Sequence, residues 1–565
     1  MPDDPATADM DQPPRSEPSL LRWWILGLGA AAMLTAGVVV ARSYWRDDPS
    51  SVPPAGYAAP RFVDDTTNAG VDHTYDGEFE FFVGGGVATF DCNDDGRAEL
   101  YFAGGSGNAA LYVNESTIGG ELRFVPLTSP VTDLTAVTGA YPLDIDSDGT
   151  TDLAVLRRGG NVILRGLGDC RFEEANELFG IDAGDGWTTA FSATWEGSNQ
   201  LPTVAFGNYL VPDGDVCDQS QLVRPDDNSS QYGAPLSLDP GYCTLSILFS
   251  DWGRSGQRDL RMANDRHYYV GGQEQLWRTA PGEPPSEYTE ADGWRPLRIW
   301  GMGIASHDVT GDGYPEVFIT SQADNKLQTL SAGPAEPTYR DIALRSGAIA
   351  QRPFIGGDVL PSTAWHPEFA DVNNDGLVDL FISKGNVEAQ PDFAARDPDN
   401  LLIGQVDGAF VEGADAAGIV TFQRSRGAAL VDLNLDGMLD LVVVHRRENV
   451  TLWRNVGTGD AEHPAAVGQW LAMRLRQPSP NVDAVGAWLD VRVGDRISTR
   501  ELTVGGGHAG GQSGWLHVGL GDADRADVRV QWPDGETGPW MTVEANQFVT
   551  ITRGSSEVVR WEPVE

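Results

Sequence analysis

Residues 91–100 read DCNDDGRAEL, and the same arrangement returns as DIDSDGTTDL at 144–153, DVTGDGYPEV at 308–317, DVNNDGLVDL at 371–380 and DLNLDGMLDL at 432–441. Each is D-x-[DNT]-x-D-G-x-x-[DE]-[LV]. A sixth segment, DWGRSGQRDL at 251–260, keeps the first Asp, the Gly and the closing Asp-Leu. A seventh, WEGSNQLPTV at 195–204, keeps only its place in the series. Successive starts lie 53, 51, 56, 57, 63 and 61 residues apart. Such a spacing is that of a repeat architecture.

Each acidic segment lies between two short apolar runs, such as GVATF before the first and LVVVH after the last. Five or six β-branched and aromatic residues in a row predict strands joined by the acidic loop. A second element recurs between the loops, at Phe62–Val71, Phe172–Ile181, Tyr339–Ala348 and Phe410–Ile419. One loop, one connector and about four strands per period predict propeller blades. Seven periods predict seven of them over residues 61–460.

The loops carry the chemistry. Side-chain oxygens stand at the first position (Asp91, Asp144, Asp308, Asp371, Asp432), the third (Asn93, Asp146, Thr310, Asn373, Asn434) and the fifth (Asp95, Asp148, Asp312, Asp375, Asp436). The ninth (Glu99, Asp152, Glu316, Asp379, Asp440) closes the set. The seventh (Arg97, Thr150, Tyr314, Leu377, Met438) varies freely, as expected where only the backbone carbonyl ligates. Glycine at the sixth supplies the positive φ of a tight loop. Hard cations take six to eight oxygens at about 2.3–2.6 Å, which points to about five Ca²⁺ sites. Asx-type turns on a solvated surface are the competing reading, and five copies in register favour ligation over it. An EF-hand is excluded, since the twelfth positions are Phe102, Val155, Ile319, Ile382 and Val443 rather than Glu. Trp195, Gly253 and Ser255 replace ligands, so the third and fourth periods are expected not to bind.

These strand-flanked loops resemble FG-GAP/VCBS repeats, which are similar in plan to the integrin α-subunit propeller. Gly301-Met302-Gly303 before Asp308, and RGAA at 426–429 before Asp432, resemble late blades of the cartilage acidic protein (CRTAC) family. Residues 481–496 (NVDAVGAWLDVRVGDR), 500–521 (RELTVGGGHAGGQSGWLHVGLG) and 530–551 resemble the ASPIC/UnbV domain found in those proteins. The family's aromatic after the glycine run is here His508-Ala509. The resemblance implies an all-β chain: a seven-bladed propeller followed by a second domain. Alternating apolar and polar positions over 468–553 independently predict a small β-sandwich or barrel there, with 554–565 as a tail. Gly505-Gly506-Gly507 lacks the Lys and helix of a phosphate loop, so a tight turn or bulge is expected rather than an anion cradle.

The chain of 565 residues carries 82 acidic and 39 basic side chains, a net charge of −43. That balance repels phosphate backbones and excludes nucleic acid as partner. From Trp23 to Ala41 the chain runs nineteen residues without a charge. At about 1.5 Å per residue a helix of that length spans a bilayer core. A cleaved signal peptide competes, but the acidic tail 1–22 and the length of the run favour a retained anchor at 23–42, then a Pro-rich linker at 43–60. Weak calcium loops fill where the ion is abundant, which puts the N-terminus in the cytoplasm and the body outside. Of four cysteines, Cys217 and Cys243 flank a loop-like 212–243 insertion that a disulfide would staple in an oxidising compartment. Four free thiols are the alternative.

No G-x-S-x-G, H-E-x-x-H or Cys–His pairing is present, and no two of the eight histidines are spaced as a metal pair. His307 and His366 are expected to be packed or surface residues. The expectation is therefore a membrane-tethered, non-enzymatic module presenting loops to a protein or glycan. The rival is a hydrolase or lyase using the propeller channel, or a biosynthetic accessory, since UnbV-type proteins also occur beside enediyne genes.

Overall fold

The structure is a computed structural model that describes residues 58–563, apart from 213, 227–228, 266–270, 350–359, 388–393 and 395–396. The expected anchor at 23–42 lies outside the described residues. Among those described, no helix is long and apolar enough to cross a membrane.

Among the described residues there are nine four-stranded sheets, and seven of them lie between Arg61 and Gly457. The innermost strands are Val87–Phe90, Val137–Leu143, Thr188–Thr194, Thr244–Ser250, Gly301–His307, Ala364–Ala370 and Ser425–Val431. Each touches the next and the last touches the first, so the seven sheets form a ring. Four of these strands are buried at every residue, because both faces meet neighbouring sheets. The acidic segments join each innermost strand to the second, as their apolar flanks predict. The recurring connector is an outer strand followed by one helical turn, as in Phe172–Glu174 and Asn176–Phe179.

Two features of the ring differ from expectation. The outer strand of the last sheet is Arg61–Asp64, which pairs antiparallel with Thr451–Gly457, so the two ends of the repeat region close the ring together. The 212–243 stretch is not a simple loop insertion. It contributes Ser220–Val223 and Leu236–Leu238, the two outer strands of the third sheet. Strands of four and three residues carry too little periodicity to be read. The Cys217–Cys243 disulfide ties the start of this stretch to the next innermost strand. A second disulfide, Cys92–Cys170, joins the first acidic loop to the second sheet, so no free cysteine is present.

The two remaining sheets enclose the apolar core of a C-terminal domain, built on Leu471, Met473, Leu489, Val528, Val549 and Ile551. Gln469–Arg476 lies at its centre, parallel to Gln547–Thr552. Residues 554–565 are more than a tail: Val558–Trp561 adds the edge strand of that sheet.

From this domain, residues 504–512 thread the middle of the ring. Ala193, Ile304, Ala140 and Thr89 donate backbone N–H bonds to the carbonyls of Val504, Gly507, Ala509 and Gly511 at 3.1–3.3 Å. Gly506 and Gly507 donate back to Ile247 and Ile304. The glycine run is thus a channel filler and not a hairpin turn. Gly505, Gly506 and Gly507 all have positive φ (125°, 74° and 57°), and a Cβ on any of them would meet ring atoms within 2.5–2.8 Å. His508, completely buried, stands where the resemblance expects an aromatic. It accepts from the Gly84 N–H at Nε2 and donates from Nδ1 to Met302 O. His366 Nδ1 accepts the His508 N–H, and its ring lies against Glu368.

The channel filling is open to a direct check. Gly86→Ala sets a Cβ 1.8 Å from the Ala509 carbonyl oxygen. It is expected to destabilise the chain by about 1–3 kcal/mol in urea unfolding. Gly160→Ala meets nothing within 4 Å and is expected to change stability by under about 0.5 kcal/mol. Equal midpoints for the two variants would contradict the placement of residues 504–512.

Candidate metal centres and the domain that covers them

The five intact loops share one backbone network. The sixth-position glycine donates its N–H to the first aspartate in each, at 2.7–2.8 Å. The seventh N–H donates to the fifth-position aspartate, and the second N–H to the ninth-position carboxylate. Those glycines have φ between 79° and 90°, the region a side chain would strain. The same backbone donors thus hold the first-, fifth- and ninth-position carboxylates in every loop. The third-position side chains differ in what they do. Thr310 donates to Glu316, Asn93 and Asn373 donate to the fifth-position aspartates, and Asn434 donates to Gly120 O.

Backbone donors do not satisfy every oxygen. Asp91 Oδ1 and Glu99 Oε1 in the first loop, and Asn434 Oδ1 and Asp436 Oδ2 in the last, are buried without a hydrogen-bond partner. All four belong to predicted ligand positions. A buried, unpartnered carboxylate oxygen is costly, and a hard cation satisfies it with the donor set present here. The residues fit Ca²⁺.

Electrostatics agree. Burial pushes the Glu99 carboxyl up to about 8, with the Asp91 and Asp95 charges adding to it. Asp308 rises to about 7 and Asp144 to about 6 for the same reason. Burial raises Asp371, Asp379, Asp432 and Asp440 in the same way, and the other carboxylates of each loop add to it. In the second loop Arg165 already lies on Asp146 (2.6 Å) and Asp148 (2.5 Å). Oxygens of Asp144, Asp146 and Asp152 lie within 4.8 Å of one another there.

In the two degenerate segments, protein donors take up the acidic side chains. In the fourth, Ser255 and Gly256 N–H groups hold Asp251, while Trp252 Nε1 and Tyr288 Oη donate to Asp259 at 2.9 and 2.8 Å. In the third, Glu196 is held by Arg224 Nε at 3.0 Å from both oxygens.

The C-terminal domain rests on this same face, and the contacts follow a rule that the motif does not disclose. The fourth position is not among the predicted ligands, yet its backbone is left-handed in six segments: Asp94, Ser147, Arg254, Gly311, Asn374 and Leu435 have φ of 48–73°. Four of those side chains reach the C-terminal domain. Ser147 Oγ accepts the Asn481 N–H, and Asn374 Oδ1 meets His517 Nε2 at 2.6 Å. Arg254 donates to Asp490 and Gln531 and lies over Trp488, while Leu435 packs with Trp470, Ala472 and Phe548. Arg474 adds an ion pair to Asp91 at 3.1 Å, and Trp515 Nε1 donates to Gly96 O. Varied residues at one fixed loop position were the only sequence signal. His307 packs on Phe369, and burial lowers its ring to about 3.

Comparison with known proteins bears on both parts. The FG-GAP-like repeat family matches residues 91–155, and the ASPIC and UnbV family matches residues 477–558. No curated protein matches the chain. Among solved structures, BBS1N in complex with ARL6DN is 9% identical with a TM-score of 0.40, covering 72% of this chain and 100% of that one. YCF48 bound to D1 peptide is 8% identical (TM-score 0.35; 73% and 98% covered). An Agrocybe aegerita lectin specific for non-reducing terminal N-acetylglucosamine is 16% identical (TM-score 0.31; 67% and 78%).

The raised carboxyls set a pH signature. Their folded values lie above the unfolded value near 4, so without a cation the native state binds more protons than the unfolded state. Stability of the chelated chain is expected to fall as pH rises from about 5 to 8 through the Asp144, Asp308 and Glu99 values. Calcium takes the place of those protons, so at saturating Ca²⁺ the fall is expected to disappear. Urea midpoints at pH 5.5 and pH 8, with Ca²⁺ and with chelator, check this. A flat chelated profile would contradict it.

Proposed function

We propose that the chain is a membrane-anchored, extracytoplasmic, calcium-binding seven-bladed propeller of CRTAC-like type, serving as a non-enzymatic binding or adhesion module for a protein or glycan. The observation that carries the metal reading is the set of buried, unpartnered oxygens at Asp91, Glu99, Asn434 and Asp436. Two disulfides support an oxidising compartment, where calcium is also abundant.

The channel supports the binding reading over its enzymatic rival. A propeller enzyme would use the channel, and residues 504–512 fill its centre with backbone hydrogen bonds. Of the titratable groups beside it, His366 and His508 are engaged in that packing, Tyr141 donates to Gly506 O and Glu368 accepts from Gln512. The partner surface then falls on the face opposite the acidic loops, where the innermost strands begin. Phe79, Val211 and Val216 are exposed there, the last at 67%, beside the Cys217–Cys243 staple. Phe79 also lies edge-on to Trp187 and Phe82.

Thermal melting of the full chain tests the metal reading. Each site filled at roughly ten to one hundred times its Kd adds about 1.4–2.7 kcal/mol. A Ca²⁺-specific rise in Tm is expected, unmatched by Mg²⁺, and Glu99→Gln is expected to remove part of it. No rise, together with no calcium bound in equilibrium dialysis, would overturn it.

A further inference from the structure

We propose that the fourth residue of the second, sixth and seventh segments (Ser147, Asn374 and Leu435) is a docking residue for the C-terminal domain, and that cation occupancy of those loops is thereby coupled to the seating of that domain and of its channel loop 504–512. This rests on the reading that the loops hold cations.

The fourth residue is flanked by ligand positions three and five, so the ligating backbone sets its left-handed pose. The fifth N–H donates to the first aspartate at 3.1 Å in the second, fifth, sixth and seventh segments. Non-glycine residues seldom adopt this conformation unless their surroundings impose it. Leu435 is the plainest case: φ is 58°, and its apolar side chain is delivered into Trp470, Ala472 and Phe548. Its neighbours Asn434 and Asp436 carry two of the unpartnered oxygens. A cation that gathers those oxygens therefore holds Leu435 in its pocket. When the carboxylates are left to repel one another, the loop relaxes and the docking residue turns away.

Two segments act as internal controls. In the fourth, hydrogen bonds from Trp252 and Tyr288 take the cation's part, so Arg254 stays docked whatever the calcium concentration. In the fifth, position four is Gly311, where a Cβ would meet nothing within 4 Å. That loop carries ligands but no docking side chain. Binding linkage is reciprocal, so the seated domain must in turn raise the cation affinity of the loops it covers.

Hydrogen exchange of the full chain, with Ca²⁺ and with chelator, reads the coupling at residues 504–512. Chelation is expected to speed exchange there as well as in the loops. Asp432→Asn is expected to do the same at saturating Ca²⁺, while Asp308→Asn leaves 504–512 protected. Leu435→Asn keeps a residue suited to the left-handed backbone and removes only the apolar contact. It is expected to weaken Ca²⁺ binding at the last loop by about fivefold or more in calorimetric titration. Calcium binding that leaves 504–512 equally protected with and without chelator, and Leu435→Asn with unchanged affinity, would overturn the coupling alone. A chain that binds no calcium in equilibrium dialysis would overturn the metal reading and the coupling with it.

Discussion

Five times over, this chain packs at least three carboxylates into one short loop and buries the ninth-position one in each, and the rest of the structure answers that demand for positive charge. Backbone N–H groups come first, from the second, sixth and seventh residues of every loop. Arginines come next: Arg165 in the second loop and Arg474 of the C-terminal domain on Asp91. The oxygens left over at Asp91, Glu99, Asn434 and Asp436 are those that a cation would satisfy. Where the acidic positions have been lost, Trp252, Tyr288 and Arg224 supply the donors instead. Seven segments are seven solutions to one electrostatic problem.

The C-terminal domain ties these solutions together. It lies on the loop face and sends residues 504–512 through the ring, where only glycine permits the close approach to Ser192, Ile304 and His366. Repeat sheets otherwise contact mainly their neighbours. A segment bonded to the innermost strands of several sheets makes their stability a shared property.

Much of this was legible in residue order. The loops, their glycine conformation and the strands on either side followed from the repeated D-x-[DNT]-x-D-G pattern, since a tight turn between buried strands tolerates few alternatives. Other parts were hidden for physical reasons. Arg61–Asp64 is four residues long, and its partner Thr451–Gly457 lies almost the whole propeller away in sequence. The outer strands at Ser220 and Leu236 were too short to stand out from a polar, Pro-rich stretch. Cys92 and Cys170 are 78 residues apart, and only the ring brings them together. The fourth loop position looked free because its partners lie in another domain, where no local pattern records them. Gly505–Gly507 carried a plain signal for unusual backbone but none for the channel that uses it.

The most direct measurement is long-wavelength anomalous scattering from crystals of the full chain grown with calcium. The account predicts peaks inside the loops that begin at Asp91, Asp144, Asp308, Asp371 and Asp432, and none at Trp195 or Asp251. Empty loops at Asp91 and Asp432, where the unpartnered oxygens lie, would contradict it.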